Sequence, residues 1–383
     1  MNRSLRLTAG TLVLALPLAA AAGCGVEKKK TIKQEFRAAQ AFLGDSKAAS
    51  FTLKLDDAQG NLAKLMTAGS DGAPKAIVDA LLKGSVTYTA DPAGDATFRS
   101  AKSSVMSPSD IKAAFTKVNL SFVVRDANAD LVELRVVAGD LYAHVNLTEI
   151  GVLAKAGGVD DFDATLDDAV TGQDPRLKQG LTDLRAGKWL KLPLAKYLDK
   201  LQDVAGSIVP SAAPQEGSGF SQLGTKVYDA VKPFVKVTDA NDSSSNRVLD
   251  IKVQAKPALK AVVAVLTAEK DLPFAGFLDK ANTEIDKSVR DGVAKGTITL
   301  RNSHLTQVAV DLESLRLLST DPGTDSLAGV KVAVDVDDSA APLTAPTDVS
   351  SLDIGSLIES LVGSFFGAST KTFSSSAQYS LGG

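Results

Sequence analysis

The stretch VELRVVAGDLYAHVNL, residues 132–147, decides the fold. In its first half the apolar Val132, Leu134 and Val136 alternate with charged residues, and a second alternating run follows the Gly139-Asp140 pair. Successive side chains of a β-strand point to opposite faces, so this alternation predicts two strands that are each apolar on one face and polar on the other. A Gly-Asp pair between two such runs is typical of a tight turn, and the stretch therefore predicts a β-hairpin.

The same alternation recurs along the rest of the chain. It is clear at 51–55, 120–124, 249–253, 308–312 and 332–336, and weaker at 86–90, 96–100, 189–192 and 296–300. Together with the hairpin, these segments predict about eleven strands. Strands with one polar face are typical of an antiparallel sheet that is solvated on one side. Several segments of helical periodicity between and after the strands predict helices that cover the apolar side, so the fold class is α+β.

The composition excludes several function classes. Of the 383 residues 44% are hydrophobic and 23% are charged, as in ordinary globular proteins, and 42 Lys and Arg stand against 45 Asp and Glu. Nucleic-acid-binding proteins are normally basic, so no nucleic-acid partner is expected. The only histidines are His144 and His304 and the only cysteine is Cys24, which is too few for a structural zinc site or a Cys/His nucleophilic centre. We expect no metal and no cofactor.

The N-terminus has the pattern of a secretory signal peptide at residues 1–23. Arg3 and Arg6 precede a short apolar run at 12–22, and the small residues of 21–23 lead directly to Cys24. This junction resembles the lipobox of bacterial lipoproteins, although Ala21 stands where that motif usually has leucine. The resemblance implies that a diacylglyceryl group is attached to the Cys24 thiol and that cleavage leaves Cys24 as the N-terminus. It predicts a protein held by lipid on the extracytoplasmic face of the cell membrane.

An uncleaved membrane anchor is the alternative, because residues 7–26 are uncharged and long enough to span a bilayer. After the signal peptide we expect a lipid-anchored tether and a short helix at 24–47, and a single domain with helical insertions at 48–366. A tail rich in Ser and Gly, at 367–383, is expected to be disordered. If the Cys24 thiol carries lipid, no disulfide is possible and the core alone must hold the domain together.

Three short phrases carry a resemblance to a known family: VAGDLY at 137–142, GKWLKL at 187–192 and PLTAP at 342–346. In pattern and order the chain resembles, from about residue 48 to 348, the LppX/LprG group of mycobacterial lipoproteins, which is related to the LolA-type lipid carriers. The resemblance implies a strongly curved antiparallel sheet, a half-barrel, closed by helices around an apolar cavity that holds acyl chains. This chain has extra helical sequence at 194–236 and 257–289.

A lipid carrier needs no catalytic residue, only apolar side chains that leave a slot. We therefore expect a non-enzymatic envelope lipoprotein that binds a lipid or lipoglycan by its acyl chain. The candidate lining residues are Phe51, Leu53, Leu55, Phe122, Val124, Leu134, Val136, Phe274, Phe277, Leu278, Val308, Val310, Val332 and Val334. The same residues would build a solid core equally well. The alternative function is a lipid-anchored protein with a filled core that binds an exported protein or a cell-wall component.

Short patterns that match catalytic or metal-binding motifs are explained more simply by local structure. Ser109 and Lys112 match the Ser-x-x-Lys of penicillin-recognising enzymes, but the companion motifs do not occur, and a helix N-cap explains the segment. Residues 239, 241, 243 and 250 have the offsets of calcium-loop ligands, but Ser244 replaces the required glycine, which favours a polar turn. The acidic run at 160–174 is expected to be a solvated loop, and both histidines are expected to be exposed.

Overall fold

The computed structural model describes residues 31–68, 73–101, 117–170, 175–193, 219–242, 246–268, 280–321 and 326–352. These residues contain one sheet of twelve strands in the order β12-β6-β5-β4-β3-β2-β1-β11-β10-β9-β8-β7. The strands are β1 (Ala49–Asp57), β2 (Ser85–Pro92), β3 (Val118–Arg125), β4 (Asp130–Val137), β5 (Asp140–Val145), β6 (Trp189–Leu192), β7 (Val235–Asp242), β8 (Asn246–Gln254), β9 (Val293–Arg301), β10 (His304–Asp311), β11 (Val330–Asp337) and β12 (Val349–Ser351). The sheet is curved and unclosed, with β12 and β7 at its two edges.

Helices connect and cover these strands, so the α+β fold class is confirmed. In the described ranges they are α1 (Ile32–Asp45), α2 (Asn61–Thr67), α3 (Lys75–Lys83), α4 (Phe98–Ala101), α5 (Leu147–Ala156), α6 (Phe162–Val170), α7 (Pro175–Arg185), α8 (Gly219–Val231), α9 (Ala255–Ala268), α10 (Ala281–Ser288) and α11 (Leu312–Arg316), with a 3-10 helix at Lys232–Phe234.

The predicted hairpin is present as β4 and β5, with Leu134 opposite Ala143. Its turn lies one residue earlier than predicted, because Val137 pairs with Asp140. Ala138 and Gly139 are the central residues, with φ of 52° and 85°. Positive φ at both central positions matches the right-handed twist of the flanking strands, which outweighs the cost of placing an alanine there.

One predicted strand is wrong. Residues 96–100 were expected to be extended, but Phe98–Ala101 form α4. Thr97 and Ser100 cap this short helix reciprocally: the Thr97 backbone N–H donates to Ser100 Oγ at 2.8 Å, and the Ser100 N–H donates to Thr97 Oγ1 at 3.3 Å. Local capping hydrogen bonds therefore override a short alternating pattern.

Two strands were not predicted from the sequence. The first, β7, forms a hairpin with β8. It includes residues 239–242, for which the sequence predicts part of a polar turn. The second, β12, has three residues and pairs with β6 in parallel, whereas the other neighbouring pairs of the sheet are antiparallel. A three-residue edge strand leaves no periodicity to detect.

The connection from β11 to β12 forms hydrogen bonds with residues of β2, β4 and β6. The Leu343 N–H donates to the buried carboxylate of Asp91 on β2 at 2.9 Å, and Arg135 on β4 donates to the Thr344 carbonyl at 3.3 Å. The Trp189 N–H, at the start of β6, donates to the Asp348 carbonyl at 3.0 Å. The PLTAP phrase at 342–346 thus belongs to a connection that contacts three strands.

Asp183 on α7 holds β12 in place. Its buried carboxylate accepts hydrogen bonds from Ser350 Oγ on β12 at 2.7 Å, from Gln179 Nε2 at 3.3 Å and from Lys188 Nζ at 3.3 Å. The Ser350 hydrogen bond is the main cause that lowers the pKa of Asp183 from its usual 3.8, and the Gln179 and Lys188 contacts lower it further. The carboxylate is therefore stabilised in its charged form at the edge of the sheet.

This arrangement predicts a specific acid sensitivity. The pKa of Asp183 is lower in the folded than in the unfolded chain, so its stabilising effect is present above the unfolded value of 3.8 and is lost as the pH falls through the folded value. In Asp183→Asn that part of the pH dependence should disappear. Unfolding temperatures measured between about pH 5 and 2 test this. The exposed Asp160→Asn is the control and should keep the wild-type profile. An unchanged profile in Asp183→Asn would contradict the assignment.

Candidate functional site

The eleven candidate residues on the sheet share one face. Directly opposite residues of an antiparallel pair lie on the same face, and Leu53 is opposite both Val86 and Val334, while Val334 is opposite Val308. The same register brings together Phe51, Leu53, Leu55, Phe122, Val124, Leu134, Val136, Val308, Val310, Val332 and Val334. We call this side of the sheet the apolar face.

One half of the apolar face, around β8, β9 and β10, is filled by α1. Phe36 and Ala39, three residues apart on the helix, are 3% and 5% exposed and pack in one cluster with Leu249, Ile298 and Leu300 of the sheet. These three sheet residues are at most 1% exposed. The candidate Val308 belongs to this cluster as well, and is therefore part of a packed core.

Two sets of contacts position α1. At its start, Thr31 and Gln34 form a reciprocal capping box. Also in the first turn, Glu35 Oε2 accepts a hydrogen bond at 3.0 Å from Arg247 on β8, which donates in addition to both carboxylate oxygens of Asp239 on β7 at 2.7 Å each. The Asp239 hydrogen bonds are the main cause that raises the pKa of Arg247 above its usual value, so the guanidinium stays charged. The helix is thereby fixed over β8 by charge-assisted hydrogen bonds as well as by packing.

Within the part of the chain that the structure describes, the apolar face is least covered in the middle of β2, β3 and β4, which we call its open half. Tyr88, Phe122 and Leu134 lie opposite one another on these strands and are 41%, 39% and 37% exposed. We call these three residues the exposed row. The half-buried Phe51 on β1 extends it, with its ring centroid 6.4 Å from that of Tyr88. Single exposed apolar side chains are common on protein surfaces, but a contiguous apolar row that the described residues leave exposed is typical of a binding surface.

Tyr88 is not among the residues that the sequence predicts for the site. It belongs to the weakly predicted strand at 86–90, and a tyrosine between Val86 and Ala90 was not counted among the apolar positions. The alternation of side chains along a strand could have identified it, since residues 86, 88 and 90 must lie on the same face of the sheet.

The polar face of the sheet carries paired charges. A depression of about 440 Å³ opens there, lined by Lys54, Asp56, Gln307 and Lys331 among others. Lys54 forms an ion pair with Asp335, which also accepts a hydrogen bond from Gln307 at 2.8 Å. Leu55, a candidate lining residue, and Leu82 also line the depression, but its exposed surface is mainly polar, so it is a poorer candidate site for an acyl chain than the apolar face.

The two histidine side chains, which were predicted to be exposed, make contacts with other side chains. His144 packs at 5.2 Å from the ring of Trp189, whose other ring contact is the Arg135 guanidinium at 4.8 Å. His304 stacks on Phe42 at 4.0 Å and shares a hydrogen bond of 2.7 Å with Asp338. Both side chains thus have structural contacts. Within the described ranges no three His, Cys, Asp or Glu side chains come together in a way that could hold a metal ion.

The acidic run at 160–174 is not a loop throughout. Phe162–Val170 form α6, and Asp161 accepts a hydrogen bond from the Ala164 N–H at 2.9 Å at its start. Asp163 and Asp167, four residues apart, both pair with Arg185 of α7 at 3.2 and 2.9 Å. One guanidinium that binds two carboxylates on the same helix face offsets the repulsion on which the loop prediction was based.

Several sequence-predicted residues lie outside the described ranges. They are the signal peptide with Cys24, the Ser109–Lys112 segment, the candidate lining residues Phe274, Phe277 and Leu278, and the tail at 367–383. Among the helices that are described, none combines the length and the apolar character needed to cross a bilayer.

Comparisons with known proteins add little. No protein-family model and no curated protein matches the chain. Among solved structures, the crystal structure of the Mycobacterium tuberculosis lipoprotein LppX is similar over 82% of this chain and 96% of that chain, with 10% sequence identity and a TM-score of 0.27. A similarity of this size gives no information about the function of this chain.

Proposed function

We propose that the protein is a non-enzymatic, lipid-anchored protein of the cell envelope that binds the acyl chain of a lipid on the open half of its apolar face. The observation that carries this proposal is the exposed row, Tyr88, Phe122 and Leu134, on the same face whose other half is filled by α1. The lipobox-like junction at Cys24 supports a location at the membrane.

The chemistry of the open half suits hydrocarbon. Along β3 and β4 the row is flanked by Val124, Val132 and Val136. The side chains of these two strands on the apolar face are thus uncharged from Leu120 to Val124 and from Val132 to Val136. Each methylene that is fully buried contributes about 0.8 kcal/mol before the cost of ordering the chain, and a methylene that lies on an open face contributes a part of this. Such a surface therefore binds an acyl chain without any catalytic or metal-binding group.

A bulky substitution beside the exposed row tests the proposal. Val124 is half-buried, two residues from Phe122, so the ring of Val124→Trp should project over the open half. We expect little change in unfolding temperature and at least about a tenfold loss of affinity for a fluorescent fatty acid. Val308→Trp, on the same face but under α1, is the control, and should lower the free energy of unfolding by about 1 to 3 kcal/mol or more.

Native mass spectrometry of the wild-type protein provides a second readout. Lipid that co-purifies with the chain and is lost in Val124→Trp would support the proposal. If the wild type neither carries lipid nor binds the fluorescent fatty acid, the acyl-chain function is wrong. The exposed row would then be better explained by an exported protein or a cell-wall component that covers it.

A further inference from the structure

Tyr88 has the one polar group on an otherwise apolar stretch of the sheet. Across the strands its neighbours are Phe51 on β1 and Phe122 on β3, and along β2 they are Val86 and Ala90. Farther across, the register continues with Leu134, Ala143 and Leu190. Its side chain is 41% exposed, and no described residue forms a hydrogen bond with its hydroxyl group. A donor is thus presented to whatever covers the row.

The hydroxyl group remains a donor at neutral pH. Partial burial raises the pKa of Tyr88 above its usual 10.0. The phenol is therefore protonated under physiological conditions and can donate one hydrogen bond to an acceptor. Once a bound chain covers the row, competition from water is reduced, and a hydrogen bond from the hydroxyl group to the ligand is favoured.

The surroundings also define the direction in which a bound chain can run. On one side of the row the face is closed, since Ala49, Ala90 and Val136 are 0%, 8% and 9% exposed. On the other side it continues with half-buried aliphatic residues, which are Leu53, Val86, Val124 and Val132. Hydrocarbon that starts at Tyr88 can therefore pack on Val86 and Val124, but it cannot pass beyond Ala90.

We propose that Tyr88 determines which lipids bind, because its hydroxyl group donates a hydrogen bond to the carbonyl or carboxylate oxygen at the head of the acyl chain. The inference rests on the proposed function and names the ligand class, which is a long-chain carboxylic acid or its ester. The chain itself lies on the exposed row and extends toward Val86 and Val124. An unsubstituted hydrocarbon of the same length gains only the packing.

The variant Tyr88→Phe removes this hydroxyl and leaves the ring. Dodecanoic acid, methyl dodecanoate and dodecane are each used to displace a fluorescent fatty acid from the wild type and from the variant. Removing one hydrogen bond between the protein and its ligand corresponds to about a tenfold change in affinity. We therefore expect Tyr88→Phe to bind the acid, the ester or both about tenfold more weakly, and to bind dodecane as the wild type does. A loss for the acid alone identifies a free fatty acid as the ligand, and a loss for both identifies the acyl carbonyl.

The control is Tyr142→Phe, which removes a hydroxyl from the polar face, where the Tyr142 ring lies 5.7 Å from Lys191 Nζ. Its affinities for all three compounds should equal those of the wild type. If Tyr88→Phe also keeps the wild-type affinities for the acid and the ester, the role of Tyr88 is wrong, although the proposed function stands. If the wild type binds none of the three compounds, the proposed function fails and this inference fails with it.

Discussion

Replacing Leu249 by alanine is expected to lower the free energy of unfolding by about 2 to 5 kcal/mol. Leu249 is 0% exposed and packs in the cluster that α1 closes over β8, β9 and β10. Truncation removes buried methyl groups and leaves a cavity that rigid neighbours on two strands cannot fill. Denaturant titration measures the loss, and the folded fraction that remains should bind a fluorescent fatty acid with wild-type affinity.

Leu134→Ala is the matched variant, because it makes the same chemical change on the same face of the sheet. Leu134 is 37% exposed and belongs to the exposed row. We expect it to lower stability by about 1 kcal/mol or less, and to weaken fatty-acid binding by about tenfold. Equal destabilisation in the two variants, with no effect on binding in either, would show that the open half is ordinary core.

The second large effect concerns the membrane. Cys24→Ala should release the protein from the membrane fraction of cells that process lipoproteins, because two or more acyl chains on the mature N-terminus anchor a protein stably and their removal leaves no such anchor. Fractionation followed by immunoblotting measures the distribution, and the intact mass of the wild type should include the lipid.

Tyr88→Phe is a suitable control for this experiment, since it retains Cys24 and should stay in the membrane fraction. If Cys24→Ala is bound to the membrane as tightly as the wild type, the uncharged run at 7–26 acts as an uncleaved anchor. The lipid-anchor prediction would then be wrong, whereas acyl-chain binding by the folded domain would be unaffected.

The sequence alone determined which side chains share a face of the sheet. Alternation with a period of two is a property of the extended backbone, so the faces of Phe122, Leu134 and Val334 follow once each segment is assigned as a strand. The hairpin at 132–147 was predicted for the same reason. Periodicity does not determine the structure of short segments: residues 98–101 form a capped helix in spite of their alternating pattern, and Val349–Ser351 form a strand too short to show a pattern.

Only the tertiary structure decided which half of the apolar face is covered. Leu249 and Leu134 occur in equivalent alternating patterns, yet one is 0% and the other 37% exposed. The difference arises from α1, whose Glu35 is 212 residues from Arg247 in the chain and 3.0 Å from it in space. Burial depends on such distant contacts, whereas local periodicity records only the direction of each side chain. For that reason the sequence determined which residues lie on the apolar face. The packing of α1 decided which of them are buried in a core and which stay exposed.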